Sequence, residues 1–305
     1  MRTLYVALGS NLGRRVEMLN AARRMLAEQA GPEIACSSYY ETAPEGFASA
    51  HPFLNAAAAY HTALPPGQLL ECAQRIERSL GRTKKSEGLD YADRSIDIDL
   101  LLLDDVCLTA PDGGLILPHP RLHRRRFVME PLREIAPQLM HPCFGLSVTQ
   151  LYDRLTDQGE PRIVRLEHAS AIEAADLSAL CEQLQHRPCP DCSARLAALL
   201  AANGSYLYAL QRPGGALVGT ATLSLTPLLT GRKAWIDDVV IDTALRGQGW
   251  GRRLMQHIMA EAKQLGADTL QLTSRPTREA AHALYRSLGF NQRDTHVFRM
   301  SCGQP

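Results

Sequence analysis

Arg94-Ser95-Ile96-Asp97-Ile98-Asp99-Leu100-Leu101-Leu102-Leu103 contains one strand, Ser95 to Leu103. Side chains alternate faces along a strand, so Asp97 and Asp99 share a face. Strand rise sets them roughly 6 to 7 Å apart, close enough to serve one metal cluster. Two carboxylates that near repel unless cations neutralise them. Hard cations such as Mg²⁺ take oxygen ligands and partner phosphates. The bland alternative is a pair of exposed aspartates. The apolar run Leu100 to Leu103 argues against it, because two aspartates on such a strand are costly without a function.

The surrounding pattern gives this strand its place. Thr3 to Leu8 reads as a strand and Gly9-Ser10-Asn11-Leu12-Gly13 as a turn. Arg15 to Gln29 carries Met18, Leu19, Ala22, Met25 and Leu26 at helical spacing. Ile34 to Tyr40 and Phe53 to His61 read as strands, and Pro66 to Leu80 as a helix with Pro at its first turn and Gly81 past its end. Gly81 to Asp93 reads as a mobile polar loop, and Arg126 to Ala136 as a further helix. The order β-α-β-β-α-β predicts a ferredoxin-like α+β sandwich.

The chain has 305 residues, 45% hydrophobic and 21% charged, so two domains are expected. Thirty-three basic residues against thirty-two acidic ones leave a net charge of +1. That balance gives no signal for nucleic acid, and no apolar run is long enough for a membrane span. The first residues do not read as a signal peptide, and a cytoplasmic location is expected. Oligomeric state has no signal here. Thr156 to Pro161, polar with Gly and Pro, is the linker candidate. Beyond it, strands are expected at Arg162–Leu166, Tyr206–Gln211, Leu217–Leu225, Ala234–Ile241, Thr269–Thr273 and Val297–Met300. Helices are expected at Ala169–Gln185, Gly249–Leu265 and Arg278–Leu288.

Basic residues flank the aspartate strand: Arg82, Lys84, Lys85 and Arg94 before it, Arg121, Arg124, Arg125 and Arg126 after it, with His119 and His123 interleaved. Beside a paired-carboxylate site they read as a polyphosphate clamp, and no GxxxxGK[ST] is present. Tyr5-Val-Ala-Leu-Gly-Ser-Asn-Leu-Gly13, Tyr40-Glu-Thr-Ala-Pro44, Phe53-Leu-Asn55, Gln74-Arg-Ile-Glu77, Arg94 to Asp99, Leu117-Pro-His-Pro-Arg121 and Phe127-Val-Met-Glu-Pro-Leu132 occur in order. With these seven motifs the segment 1–155 resembles the 6-hydroxymethyl-7,8-dihydropterin pyrophosphokinases of folate biosynthesis. The resemblance implies transfer of pyrophosphate from ATP to the pterin, with AMP leaving. It implies that Asp97 and Asp99 hold Mg²⁺ and that Arg82 and Arg94 are catalytic. Gln74, Glu77, Arg82, Arg94, Ile98, His119 and Arg125 would contact ATP; Thr42, Phe53, Asn55 and Phe127 would hold the pterin. The 81–93 loop would close over the phosphates. No general base is unambiguous, and Asp99 is the choice. Asp93 stands where the family usually has Pro or a small residue, and Tyr91 where Trp is often found, which puts loop closure in question but not the reaction.

Arg246-Gly247-Gln248-Gly249-Trp250-Gly251 follows the β run Ile236–Ile241 and opens a helix. Glycine lets backbone amides approach a pyrophosphate, and a helix N-terminus favours its charge. The pattern Arg-x-x-Gly-x-Gly, with Ala280-Ala-His-Ala-Leu-Tyr-Arg-Ser-Leu-Gly-Phe290, resembles the Gcn5-related N-acetyltransferases (GNAT) over 162–301. It implies a mixed-sheet domain, acetyl-CoA held by Val239, Val240, Ile241 and 246–251, and Tyr285 as acid for the leaving thiolate. Asp237 or Asp238 is the candidate base. The whole then reads as domains 1–155 and 162–301 joined by 156–161, taking dihydropterin, ATP, acetyl-CoA and an unknown amine. The alternative makes the second domain a non-catalytic acetyl-CoA-binding module.

Eight cysteines are scattered along the chain and read mostly as reduced core thiols. Cys189-Pro-Asp-Cys192, with His186 before it, is a lone CxxC with no second pair nearby, so it reads as a turn.

Overall fold

The computed structural model describes residues 1–45, 49–81, 93–109, 114–187, 189, 192–294, 298 and 300. The chain divides into two compact units, Met1–Gln158 and Gly159–Pro305. No helix among the described residues is long and apolar enough to cross a membrane.

The first unit runs β1 (Arg2–Ser10), α1 (Arg15–Gln29), β2 (Glu33–Cys36), β3 (Tyr40–Thr42), β4 (Phe53–Thr62), α2 (Pro66–Ser79), β5 (Asp97–Leu103), α3 (Arg126–Ile135) and α4 (Val148–Thr156). The sheet order is β2-β4-β1-β5, with β3 also paired to β4, and every pairing is antiparallel. This is the expected ferredoxin-like arrangement. Leu4, Val6 and Leu8 of β1 pack with Leu19, Ala22 and Leu26 of α1 and Leu69, Ala73 and Ile76 of α2. β4 is buried without a break from Leu54 to Tyr60, so both its faces are covered. Its run Ala56–Ala59 is small enough to let α3 lie close against the strand.

The second unit runs β6 (Arg162–Leu166), α5 (Ala171–Gln185), α6 (Cys192–Ala201), β7 (Ser205–Gln211), β8 (Leu217–Leu228), β9 (Gly231–Ile241), α7 (Trp250–Gln264), β10 (Thr269–Leu272) and α8 (Glu279–Ser287). Its sheet order is β10-β9-β8-β7-β6. β6 to β9 are antiparallel and β10 joins β9 in parallel, the mixed sheet that was expected. Tyr208 packs with Leu254, Met255 and Ile258 of α7, whereas its neighbour Ala209 packs with Leu177 of α5 and Leu196 of α6. The strand period of two thus gives each face its own helix layer.

The differences from expectation have local causes. The single strand expected over Ile34–Tyr40 is two strands. Between them the Ser37 hydroxyl accepts from the Ala57 backbone N–H at 3.0 Å and donates to the Ser38 carbonyl at 2.7 Å, a side-chain alternative to ladder bonding. α4 was not expected, although Ser147-Val-Thr-Gln150 spells a capping box. Ser147 Oγ accepts from Gln150 N at 3.2 Å and Gln150 Oε1 from Ser147 N at 2.8 Å. α6 was hidden behind the Cys-Pro-Asp-Cys segment despite its Ala/Leu content. The strand expected over 297–300 includes Val297 and Arg299, which lie outside the described residues.

Leu19 is fully buried, so Leu19→Ala should cost about 2–5 kcal/mol. Hydrogen exchange followed by mass spectrometry is expected to speed up in β1, β4 and α2 and to stay unchanged in β7 to β9. Equal acceleration in both units would show that they do not have separate cores.

Candidate functional site

β1 is the centre of the first site. Its Gly9 pairs with Asn55 of β4 on one side and with Asp97 of β5 on the other. A Cβ at Gly9 would stand 3.0 Å from Asn55 Oδ1 and 4.0 Å from Asp97 Cβ. The first distance is tight enough that a side chain at Gly9 would make the Asn55 amide shift, whereas the second is ordinary contact. β3 adds Thr42, registered with Phe53, and the Asn55 amide donates to the Thr42 hydroxyl at 2.8 Å. Thr42 on β3 thus joins Phe53 and Asn55 of β4 in one patch. Phe127, the second residue of α3, has the Arg125 guanidinium 5.6 Å from its ring centroid. Arg94 lies 5.7 Å over the Phe53 ring and links the aromatic patch to the carboxylates.

Each aspartate has an arginine partner. Arg94 Nη1 is 2.7 Å from Asp97 Oδ2 and Arg125 Nη1 is 3.2 Å from Asp99 Oδ2. His119 Nε2 stands 4.0 Å from that same Asp99 oxygen. Guanidinium charge offsets the carboxylate repulsion that the sequence posed as a problem. The donor set facing one side of β5 is carboxylate oxygen, which fits a hard cation such as Mg²⁺. Glu77 on α2 is buried and accepts from the Ile98 backbone N–H at 2.8 Å, so it anchors the start of β5 between the two aspartates. Gln74 is half-buried one turn earlier on the same helix. Arg82, Lys84, Lys85, Tyr91 and most of the 81–93 loop lie outside the described residues.

Asn11, which the sequence reading did not single out, closes the far end of this site. Its side-chain oxygen accepts from Arg94 N at 2.7 Å and its amide donates to Asp93 Oδ1 at 2.6 Å. Donation from Ser49 and Asn11 holds the Asp93 carboxyl below its usual range. Asp93, the departure from the family pattern, is thus tied to the end of β1. The motif Gly9-Ser-Asn11 contained the signal.

The second site is built from backbone. β8 and β9 slip register between Thr220 and Thr222, which face Val240 and Asp237. Asp238 and Val239 form the resulting bulge, with Asp238 at φ 52°. A bulge takes amides out of the ladder, and here it sits directly before Val240 and Ile241. Gly247 and Gly249 have φ of 75° and 83°, with no heavy atom near either would-be Cβ. Conformation, not space, requires glycine there. Gly249 caps α7, so the exposed segment Arg246–Gly249 leads into free helix N–H groups. Arg246 Nε donates to the Ile241 carbonyl at 3.4 Å and Gln248 Nε2 to the Ala244 carbonyl at 2.9 Å. Trp250 is buried beneath this turn, and Gly251 brings α7 against Ile241 and Leu284. Tyr285 on α8 is half-buried, edge-on to Phe290 at 6.1 Å. Burial pushes its phenol up, and Arg278 opposes that shift. Desolvation, then the Asp238 charge, pushes the Asp237 carboxyl up.

Comparison with known proteins gives a match for each unit. The family model of 7,8-dihydro-6-hydroxymethylpterin-pyrophosphokinase (HPPK) matches residues 5–137, and that of the acetyltransferase (GNAT) family matches residues 172–290. A 2-amino-4-hydroxy-6-hydroxymethyldihydropteridine pyrophosphokinase of Porphyromonas gingivalis is 49% identical over 142 residues, 47% of this chain and 95% of that protein. The Bacillus subtilis protein of the same name is 40% identical over 136 residues, 44% of this chain and 78% of that protein. Among solved structures, a putative acetyltransferase from Agrobacterium tumefaciens aligns with TM-score 0.42 at 28% identity, covering 46% of this chain and 99% of that one.

Three histidines of the first unit are held uncharged. Burial, then Arg125 and Arg121, lowers His119 to about 3. Burial, then Arg124 and His141, lowers His123 to about 3, and burial lowers His141 to about 4. His123 and His141 pack on Phe144 at 4.9 and 4.0 Å. Among the described residues, neither ring nitrogen of His123 has a hydrogen-bond partner. An unfolded histidine titrates near 6.5, so below that pH the unfolded chain takes up protons that the folded one refuses. The associated stability is complete above about pH 6.5 and falls as the pH drops toward 3–4, by up to about 1.4 kcal/mol per pH unit for each histidine. Urea unfolding of the first unit, followed by exchange in β1 and β4, should show its midpoint dropping from pH 7 to pH 5. A midpoint that rises would mean the histidines gain protons on folding.

Proposed function

The chain belongs to the 7,8-dihydro-6-hydroxymethylpterin-pyrophosphokinase family through residues 5–137, and on that premise we propose that its first unit carries out the Mg²⁺-dependent transfer of pyrophosphate from ATP to 6-hydroxymethyl-7,8-dihydropterin in folate biosynthesis. The observation that carries this reading is the convergence on Gly9, which joins the Thr42–Phe53–Asn55 patch to the Asp97–Asp99 strand. In this proposal Thr42 and Asn55 hydrogen-bond the pterin, and Phe53 and Phe127 flank its ring. Gln74, Glu77, Arg82, Arg94, His119, Arg125 and the backbone at Ile98 hold ATP. Asp97 and Asp99 would hold Mg²⁺, which supplies phosphate charge neutralisation. The hydroxymethyl oxygen attacks the β-phosphorus, the bond from that phosphorus to the AMP oxygen breaks, and the hydroxyl proton passes to Asp99, the candidate base, and from it to water. The protein's part is to position the reactants and offset charge. Arg94 and Arg125, paired to Asp97 and Asp99 here, would reach phosphate oxygens of ATP once those carboxylates hold Mg²⁺. His119, kept neutral, orients without adding charge.

For the second unit we propose acetyl transfer from acetyl-CoA to an amine. The bulge at Asp238–Val239 and the strand through Ile241 would hold the pantetheine arm. Arg246, Gly247, Gln248, Gly249, Trp250 and Gly251 would cradle the pyrophosphate at the α7 N-terminus. Tyr285, protonated across the neutral range, would give its proton to the departing thiolate, and Asp237 or Asp238 would take the amine proton. The proposed domain limits are 1–155 and 162–301, joined by 156–161.

Asp97→Ala should abolish pterin-dependent AMP release while leaving acetyl-CoA binding intact; normal AMP turnover would remove Asp97 from the reaction. Tyr285→Phe should lower acetyl transfer at least tenfold without weakening acetyl-CoA binding, scored by thiol release over a panel of amines. Tight acetyl-CoA binding by the unsubstituted protein with no transfer to any amine would mean that the second unit is a binding module.

A further inference from the structure

The fold supplies what the lone Cys189-Pro-Asp-Cys192 lacked. Cys181, on the last turns of α5, joins the pair, and the three sulfur atoms lie within 4.8 Å of one another. All three are free thiols and half-buried. We propose that Cys181, Cys189 and Cys192 form a three-thiolate site for a thiophilic divalent cation of the zinc class.

The geometry suits that ion. Zn–S bonds of about 2.3 Å in a tetrahedral site place sulfurs roughly 3.8 Å apart, which the cluster reaches by small side-chain adjustments. The CxxC spacing is one that zinc uses. Cys192 is the first residue of α6, where helix N–H groups favour an anionic sulfur. His186, the left-handed C-cap of α5, turns the chain so that it can return to Cys189. The end of α5 is itself fixed: Gln183 donates to the Ile241 carbonyl at 2.9 Å and accepts from Thr243 N at 3.2 Å. The ion would therefore tie the start of α6 to an anchored helix, beside the β9 bulge that carries Asp238. Binding exchanges three thiol protons for the dication, and the fourth position is left to water. The other close pair, Cys107 and Cys143 at 3.2 Å between sulfurs, is in the first unit and offers two ligands among the described residues.

The test uses the full chain, reduced with a phosphine and stripped by a chelator, and titrated with Co²⁺ and then Zn²⁺. One equivalent of Co²⁺ should produce sulfur-to-cobalt charge-transfer absorption that Zn²⁺ abolishes. Cys181→Ser and Cys192→Ser should each weaken binding at least tenfold, while the double variant Cys107→Ser/Cys143→Ser should bind as the unsubstituted chain does. A readout independent of variant folding is alkylation mapped by mass spectrometry. Zn²⁺ should protect Cys181, Cys189 and Cys192 together and leave Cys36 and Cys107 unchanged. Absence of the charge-transfer band, an unchanged Co²⁺ affinity in Cys181→Ser, or a disulfide among the three that forms in preference to metal uptake would overturn the proposal.

Discussion

The first unit depends on the close approach of three strands at Gly9. Among the described residues β1 is the one strand that touches both β4 and β5, so what those strands carry meets across it. A side chain at Gly9 would push Asn55 away, because the added carbon would crowd its oxygen at 3.0 Å. Neighbouring β1 positions show the contrast. Leu8 and Val6 turn to the core and pack with α1 and α2, while Gly9 points to the opposite face, between Asn55 and Asp97. The chain thus uses one strand both as the spine of its core and as the floor of its site.

The two candidate sites would meet an anion with different physics. In the first, fixed guanidinium groups sit on carboxylates, and Arg94 and Arg125 are mostly withdrawn from solvent. Such pairs are held in place by partners that a phosphate or a dication can replace, so charge compensation exists before anything binds. In the second, the turn Arg246–Gly249 is exposed, and the attraction comes from backbone N–H groups at the start of α7. Backbone dipoles need no partner to stay oriented. That difference explains why one site is dense in charged side chains and the other in glycine.

Much of this was legible because the relevant patterns are local. α1 has the limits its apolar spacing gave, and β6 those of its β run. The aspartate strand was readable because its chemistry and its burial pattern conflict, and that conflict marks a site. Long-range register was not readable from propensity: nothing in Thr42 or Asn55 alone says that they bond at 2.8 Å. Asn11 was missed because its role is to bridge Asp93 and Arg94, residues far along the chain. The cysteine cluster was missed for the same reason. Cys181 lies on a helix whose pattern explains it as a packing residue, and only the turn at His186 returns the chain to it.

That turn belongs to a small set. Among the described residues, three non-glycine positions have positive φ: Asp104, His186 and Asp238. The left-handed conformation costs on the order of 1 kcal/mol for such residues, so each needs a structural return. Asp104 follows β5, and its carboxylate accepts from Thr3 N at 2.8 Å, which closes the turn against β1. The other two both border the thiol cluster. His186 reverses the chain after Cys181, and the charge of Asp238 acts on that same thiol. Strain of this kind gathers where a fold over-determines a local geometry. In the second unit it gathers where a helix end, a strand bulge and three sulfurs meet, and a bound dication would give those three elements a common anchor.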